Sequence, residues 1–261
     1  NSIINQTYPP EEIIVVDDGS SDKTGEILEE FVKKYPNFLK IIHTNSMTRD
    51  YSRIPKLWNM CLKKDYDFHM IGAGDVIYEK DYSEKILKVF EENPEIVICS
   101  GDVDSSEVKA PHGGGRFVEQ RFFFKHYKKY PEIMGYESEI LLRSLISNKK
   151  NFVCKEAKMI HTEKLGHGHN FEEFGRGMKS LGYHPLFVIG RCLVEFIKNG
   201  EIGRRGAWNM FWKYITYRPQ AQGYFSMFPK EIREEIRDYQ SKRIKQFLKD
   251  PRNIMKMMRG I

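Results

Sequence analysis

Two acidic sites close short apolar runs in this sequence. Asp17-Asp18-Gly19-Ser20-Ser21-Asp22 follows Ile13-Ile-Val-Val, and Asp75 follows Phe68 to Ile71 after Gly72-Ala-Gly. A carboxylate at such a turn accepts hydrogen bonds from a base or a ribose, and Gly19 lets the chain turn tightly beneath it. The same Asp-Gly-Ser-Ser-Asp composition is also good helix-capping chemistry, so residue types alone leave both readings open. The four cysteines, at 61, 99, 154 and 192, offer neither a Cys-x-x-Cys pair nor a local zinc spacing, and read as buried thiols.

The elements that must position these carboxylates alternate. Ile13–Val16 is a β-branched run of the kind buried on both faces of a parallel sheet. Ile27, Leu28, Phe31, Val32 and Tyr35 then recur at helical spacing, with Ser21 or Asp22 available as N-cap and Pro36 as a stop. Lys40 to His43 predicts a second strand, Leu57 to Leu62 a helix, Phe68 to Ile71 a third strand, Tyr82 to Phe90 a helix, and Ile96 to Cys99 a fourth strand. Strands alternating with helices predict a doubly wound, mostly parallel α/β sheet, which binds ligands at the carboxyl ends of its strands. Residues 101–135 carry Gly113-Gly-Gly and no clear period, and are expected to be a loop-rich insertion. Helices are expected over about 136–147 and 172–181, a strand over 185–189, and mostly helix from Arg191 onward, including Glu231 to Lys249.

The string Gln6-Thr-Tyr-Pro-Pro-Glu-Glu-Ile-Ile-Val-Val-Asp-Asp-Gly-Ser-Ser-Asp-Lys-Thr resembles the opening of the inverting, GT-A glycosyltransferases of family 2. The similarity extends more weakly through Asp75 to about Arg191; the last 70 or so residues carry no match to it. The resemblance implies a GT-A-like fold over 1–190 and sugar transfer from a nucleotide-diphosphate sugar to an acceptor hydroxyl; residues 191–261 read, from charge and spacing, as a separate basic, mainly helical region. It also implies a strand ahead of Gln6, which is expected to be missing because the chain begins at Asn1.

Residue by residue, the resemblance places the base and ribose on Asp17 and Asp18, with Arg53 assisting, and a divalent ion on Asp75. The family's metal motif is an acidic cluster; Gly72 and Gly74 depart from it, so only the last acid remains. One carboxylate suits Mg²⁺ or Mn²⁺, which take further ligands from phosphates and water. A late histidine serves some GT-A enzymes as a metal or diphosphate ligand, and His161 is favoured over His167 and His169. The general base falls in Gly135-Tyr-Glu-Ser-Glu-Ile-Leu-Leu-Arg143. Glu137 and Glu139 point roughly 200° apart on a helix, so they cannot both face one substrate, and Glu137 is preferred for catalysis. Acids in a first helical turn also simply complement the helix dipole.

Charge bears on partners. The net +6 over 261 residues is uneven: from Arg191 on there are 16 Lys/Arg against 7 Asp/Glu, leaving a net negative charge for 1–190. In that region Trp208, Phe211, Trp212, Tyr214 and Tyr217 accompany Arg204, Arg205, Lys213 and Arg218, which fits packing on the catalytic domain or contact with a membrane surface. No nucleic-acid module accompanies the charge. No apolar run nears the roughly 20 residues of a membrane span. The first residues lack a signal sequence, so a cytoplasmic site, peripheral at the inner membrane face, is expected. A UDP-sugar donor and a glycan, polysaccharide or lipid-linked acceptor are the expected partners. The rivals are a nucleotide-sugar-binding protein without turnover and a membrane-surface scaffold.

Overall fold

The computed structural model describes residues 1–46, 50–103, 110–162, 171–200 and 202–249. Ile13–Asp17 forms β1, and Leu39–His43 forms β2 parallel to it, with Val15 opposite Ile41. Between them runs α1 (Thr24–Lys34), giving the crossover connection that parallel pairing requires. Its N-cap residue is Lys23 rather than Ser21 or Asp22, and Asp22 instead accepts from the Thr24 amide at 2.9 Å. Helix α2 (Ile54–Cys61), with Pro55 in its first turn, packs on β1.

A second sheet follows. Its strands are β3 (Phe68–Ile71), β4 (Val76–Tyr78), β5 (Ile96–Val103), β6 (Arg116–Glu119) and β7 (Lys150–His161), in the order β3-β6-β5-β7-β4. Only β5 and β7 are parallel; the other three pairings are antiparallel. The sheet is therefore mixed, not mostly parallel as expected. The difference lies in three strands that periodicity misses: β4 is only three residues long, β6 sits in the charged stretch expected to be loop, and β7 mixes lysines with apolar residues. Residues 101–135 accordingly hold the end of β5, β6 and α4 (Gln120–His126). Among the described residues no strand precedes β1, and β1 and β3 each end a separate sheet. Residues near the start pack elsewhere: the buried Gln6 donates to the Glu79 carbonyl and accepts from the Ser83 amide, at 2.7 and 2.9 Å.

Helix α3 (Tyr82–Glu92) covers the second sheet and buries Tyr82, Ile86 and Phe90 against Val76, Cys99 and Met159. The other face holds α5 (Tyr136–Ile146), whose Ile140 and Leu141 meet Val97, Ile98 and Val118. A third core is mainly helical. Leu142 of α5 joins Met178 of α6 (Glu172–Ser180), Val188 and Cys192 of α7 (Pro185–Lys198), Met210 of α8 (Gly203–Thr216) and Ile236 of α9 (Lys230–Lys249). The expected strand at 185–189 is thus the first part of α7. A short apolar run is ambiguous by periodicity. Pro185 at the first position and the His184 ring, which accepts from the Leu186 amide at 3.2 Å, start a helix there. A boundary at residue 190 would fall inside α7. The four cysteines are free, three of them buried.

Candidate active site

Asp17 ends β1 and Asp18 begins the turn after it. Gly19 holds φ +83°, and a Cβ there would lie 2.3 Å from the Ser46 carbonyl oxygen, so glycine alone fits. The turn brings the Ser20 amide to 3.0 Å from Asp17 Oδ1, and His43 Nδ1 lies 3.1 Å from Oδ2. These contacts, Ser20 foremost, hold the Asp17 carboxyl below the usual range. The His43 pKa is raised, by Glu29 first and then Asp17.

Asp18 points to the next element. Arg53 closes a short 3₁₀ turn (Tyr51–Arg53) that the Asp50 side chain caps, and α2 starts one residue later. Its Nε donates to Asp18 Oδ2 at 3.0 Å and its Nη2 to Oδ1, a bidentate fork that lowers the Asp18 pKa. Thr44, just after β2, donates to Asp18 and accepts from Arg53. Asp17, Asp18 and Arg53 are therefore brought together as expected, with His43 and Thr44 as members that the sequence reading missed. Their position, at and just after the carboxyl end of β2, was the available signal.

The second cluster forms where β4 meets β7. Val76 pairs with His161, and the Thr162 amide donates to the Asp75 carbonyl at 2.8 Å. This register sets His161 Nδ1 3.5 Å from Asp75 Oδ2; Asp75 is 45% exposed and His161 8%. His161 Nε2 is buried with no hydrogen-bond partner. His167 and His169 lie outside the described residues.

Gly113–Gly115 lies between this pair and α5. A Cβ on Gly114 would approach His161 Cε1 at 3.8 Å, and one on Gly113 would approach Glu137 Oε2 at 2.8 Å. Gly115 has φ +126° and is pinned on both sides: its amide donates to the Ile71 carbonyl at 2.7 Å and its carbonyl accepts from the buried Tyr82 hydroxyl at 2.7 Å. A Cβ at Gly115 would lie 2.6 Å from that hydroxyl. His112 packs edge-on to His161, ring centres 4.8 Å apart, and burial takes its pKa down to about 4, so it is neutral near pH 7.

Glu137, in the first turn of α5, faces this loop. Arg116, 2% exposed on β6, donates from Nη2 to Glu137 Oε2 at 2.9 Å and to the Pro111 carbonyl at 3.1 Å. Its Nε and Nη1 are buried without partners. Arg116 and His112 carried no sequence signal because their segment lacks a period. Trp58 of α2 meets Tyr136, the neighbour of Glu137, at 5.2 Å between rings, which joins the Arg53 side of the molecule to this one.

Glu139 does not reach the cluster. It is 1% exposed, accepts from the Tyr127 hydroxyl and from Arg143 Nε at 3.2 Å, and Arg143 also meets Glu235 of α9. The expectation of a catalytic Glu139 is corrected: the two acids leave the helix on different sides, and this one ties α5 to α9.

Residues 1–54 match the family described as glycosyl transferase family 2. Poly-beta-1,6-N-acetyl-D-glucosamine synthase of Staphylococcus epidermidis is 26% identical over 102 residues, 39% of this chain and 24% of the synthase. The minor teichoic acid biosynthesis protein GgaB of Bacillus subtilis (strain 168) is 22% identical over 273 positions, 90% of this chain and 30% of GgaB. The chain thus spans a third or less of the length of these relatives. Among solved structures, mannosyltransferase PcManGT from Pyrobaculum calidifontis, in complex with GDP-Man and Mn²⁺, superposes with TM-score 0.54 at 12% identity, covering 82% of this chain and 64% of that one. Staphylococcus aureus TarS superposes with TM-score 0.50 at 15% identity, covering 83% and 40%. Residues 1–54 thus match the opening segment of that family, and the chain has a GT-A-like fold.

Proposed function

We propose that this protein is an inverting, metal-dependent glycosyltransferase that moves a sugar from a nucleotide-diphosphate donor, UDP-linked by preference, to a hydroxyl of a glycan, polysaccharide or lipid-linked acceptor. The observation that carries the reading is the approach of Asp75, His161 and Glu137 around Gly113–Gly115, with a separate acid–arginine group at Asp17, Asp18 and Arg53. Relatives named for polysaccharide and teichoic acid synthesis support the acceptor class, and a relative in fold crystallised with GDP-Man and Mn²⁺ supports the donor and metal classes.

In this reading Asp17 and Asp18 accept hydrogen bonds from base and ribose, and the Arg53 fork fixes Asp18 for that purpose. An exposed Asp75 oxygen beside the His161 ring, whose Nδ1 faces it and whose Nε2 is buried without a partner, is a donor set that fits Mg²⁺ or Mn²⁺, with the diphosphate and water completing the shell. When bound, the ion stabilises the negative charge of the leaving diphosphate. Glu137 takes the proton from the acceptor hydroxyl as its oxygen attacks the anomeric carbon from the face opposite the diphosphate, so the linkage inverts. Arg116 holds that carboxylate in place.

A second reading, donor binding without turnover, draws on one observation: among the described residues no group of three His, Cys, Asp or Glu side chains is placed to hold a metal ion. Titration calorimetry with UDP, GDP and dTDP, with and without Mn²⁺, on this chain and on Asp75→Ala tests the first reading. Metal-dependent binding of one nucleotide, lost in the variant, is the expected result; equal binding by the variant overturns the metal assignment. Binding without any donor turnover would favour the second reading.

A further inference from the structure

Helices α7 and α8 form a hairpin that carries far more apolar surface outward than the fold uses. On α7, Leu186, Ile189, Leu193, Phe196 and Ile197 are exposed, Ile197 by 76%. At helical spacing they fall within an arc of roughly 100°. On α8, Trp208, Trp212 and Ile215 are exposed on the side that also carries the exposed Arg204 and Arg205. The inward sides are spoken for, because Phe187, Val188, Cys192 and Met210 are buried in the helical core. The two outward sides adjoin: the Arg204 guanidinium lies 5.6 Å from the Phe196 ring centre, and Trp208 stacks on Trp212 at 6.3 Å.

The cations on the apolar side of this hairpin are Arg204 and Arg205. Arg191 and Lys198 lie roughly 150–170° around α7 from the centre of its apolar arc, and Lys213 pairs with Glu172 of α6 at 3.1 Å. Glu195 lies roughly 150° around α7 from the centre of its apolar arc. No described helix is long and apolar enough to cross a bilayer. A non-spanning amphipathic surface with tryptophans and arginines at its border matches the headgroup level of a membrane, where indole rings sit between water and acyl chains and guanidinium groups meet lipid phosphates.

We propose that the outer face of the α7–α8 hairpin docks on an anionic lipid bilayer, with Leu193, Phe196, Ile197, Trp208 and Trp212 in the interface and Arg204 and Arg205 on the headgroups. The fold relates this face rigidly to the candidate active site. Gly175 of α6 packs so closely on α8 that a Cβ would lie 2.2 Å from the Met210 carbonyl oxygen, and a Cβ on Gly177 would lie 3.4 Å from Gly135, two residues before Glu137. A docked hairpin thereby gives the site a fixed orientation to the bilayer, which deepens the transferase reading by pointing to a lipid-borne acceptor. The docking itself does not depend on that reading.

The test uses the full chain with vesicles of phosphatidylcholine alone and with phosphatidylglycerol added, read by co-sedimentation and by tryptophan emission. Two of the three tryptophans lie on this face. Binding to the anionic vesicles, a blue shift of emission and weakening by salt are expected. Trp208→Ser with Trp212→Ser reduces partitioning on the order of tenfold or more, through lost apolar burial. Arg204→Gln with Arg205→Gln reduces it about tenfold on anionic vesicles only. No partitioning, or partitioning that survives both pairs of changes, overturns the proposal. So does a blue shift that grows with protein concentration without lipid, because a second copy would then cover the face. Mn²⁺-dependent nucleotide binding is measured on the same proteins: its absence in the unaltered chain counts against the transferase reading whatever the vesicles show.

Discussion

Replacing Glu137 by Gln separates the chemistry of the proposed base from its place in the fold. The carboxylate is 43% exposed and accepts from Arg116 Nη2 at 2.9 Å. A glutamine carbonyl accepts the same bond, and Arg116 keeps the Pro111 carbonyl. What is lost is the charge–charge part. That is up to about 4 kcal/mol for a pair near a surface, and roughly 1–2 kcal/mol once the exposure of Glu137 is allowed for. Such a loss lowers the melting temperature by only a few degrees, roughly 2–4 °C per kcal/mol at this chain length. Loss of a general base costs far more in rate, about 10²- to 10⁴-fold. The assay is release of nucleoside diphosphate from the donor found by calorimetry, with nucleotide affinity and melting followed in parallel. The reasoning requires turnover to collapse while affinity stays near that of the unaltered chain. Turnover within a few-fold of normal would refute Glu137 as the base, and a collapse of affinity as well would mean that the residue shapes the donor site.

Glu139→Gln is the mirror case. It leaves Arg143, 12% exposed, with Glu235 as its remaining anion, and should cost roughly 1–3 kcal/mol of stability by chemical denaturation, while the folded fraction keeps its kcat. A fall in kcat without loss of stability would restore Glu139 as a candidate. Asp18→Asn removes the anion that the Arg53 fork grips, and calorimetry should show nucleotide binding weakened about tenfold or more, with Mn²⁺ dependence intact. His69 gives a pH prediction. Burial lowers its pKa from 6.5 to about 4, so the unfolded chain takes up a proton below pH 6.5 that the folded chain refuses until about pH 4. Stability contributed by this residue is full above pH 6.5 and falls away as pH drops toward 4, by at most about 3 kcal/mol. His69→Gln, which keeps a polar group for the Tyr130 hydroxyl, should flatten the stability profile in that window in urea titrations; an unchanged slope would place the acid sensitivity elsewhere.

The sequence was most legible where one local rule decides the structure. Ile13–Val16 had to be a strand, though it is half-buried in a two-stranded sheet rather than covered on both faces, and the carboxylates after it had to sit at its end, so Asp17, Asp18 and the Gly19 turn followed with Arg53 close by. Asp75 and His161 were legible as residue types, but their pairing was not: it depends on the antiparallel register of a three-residue strand against the far end of a twelve-residue one, and no periodicity encodes that. The choice between Glu137 and Glu139 was half legible. Helical geometry says that they diverge, and only the tertiary partners, Arg116 for one and Tyr127 with Arg143 for the other, say which way each points. The same limit explains 101–135, where β6 is held by pairing on both edges rather than by its own pattern, so its Arg116 was hidden along with it. Residues placed by strand ends can be read from a sequence, while residues placed by the pairing of distant strands have to be seen. In this protein the proposed nucleoside site is of the first kind, and the proposed metal and base sites are of the second.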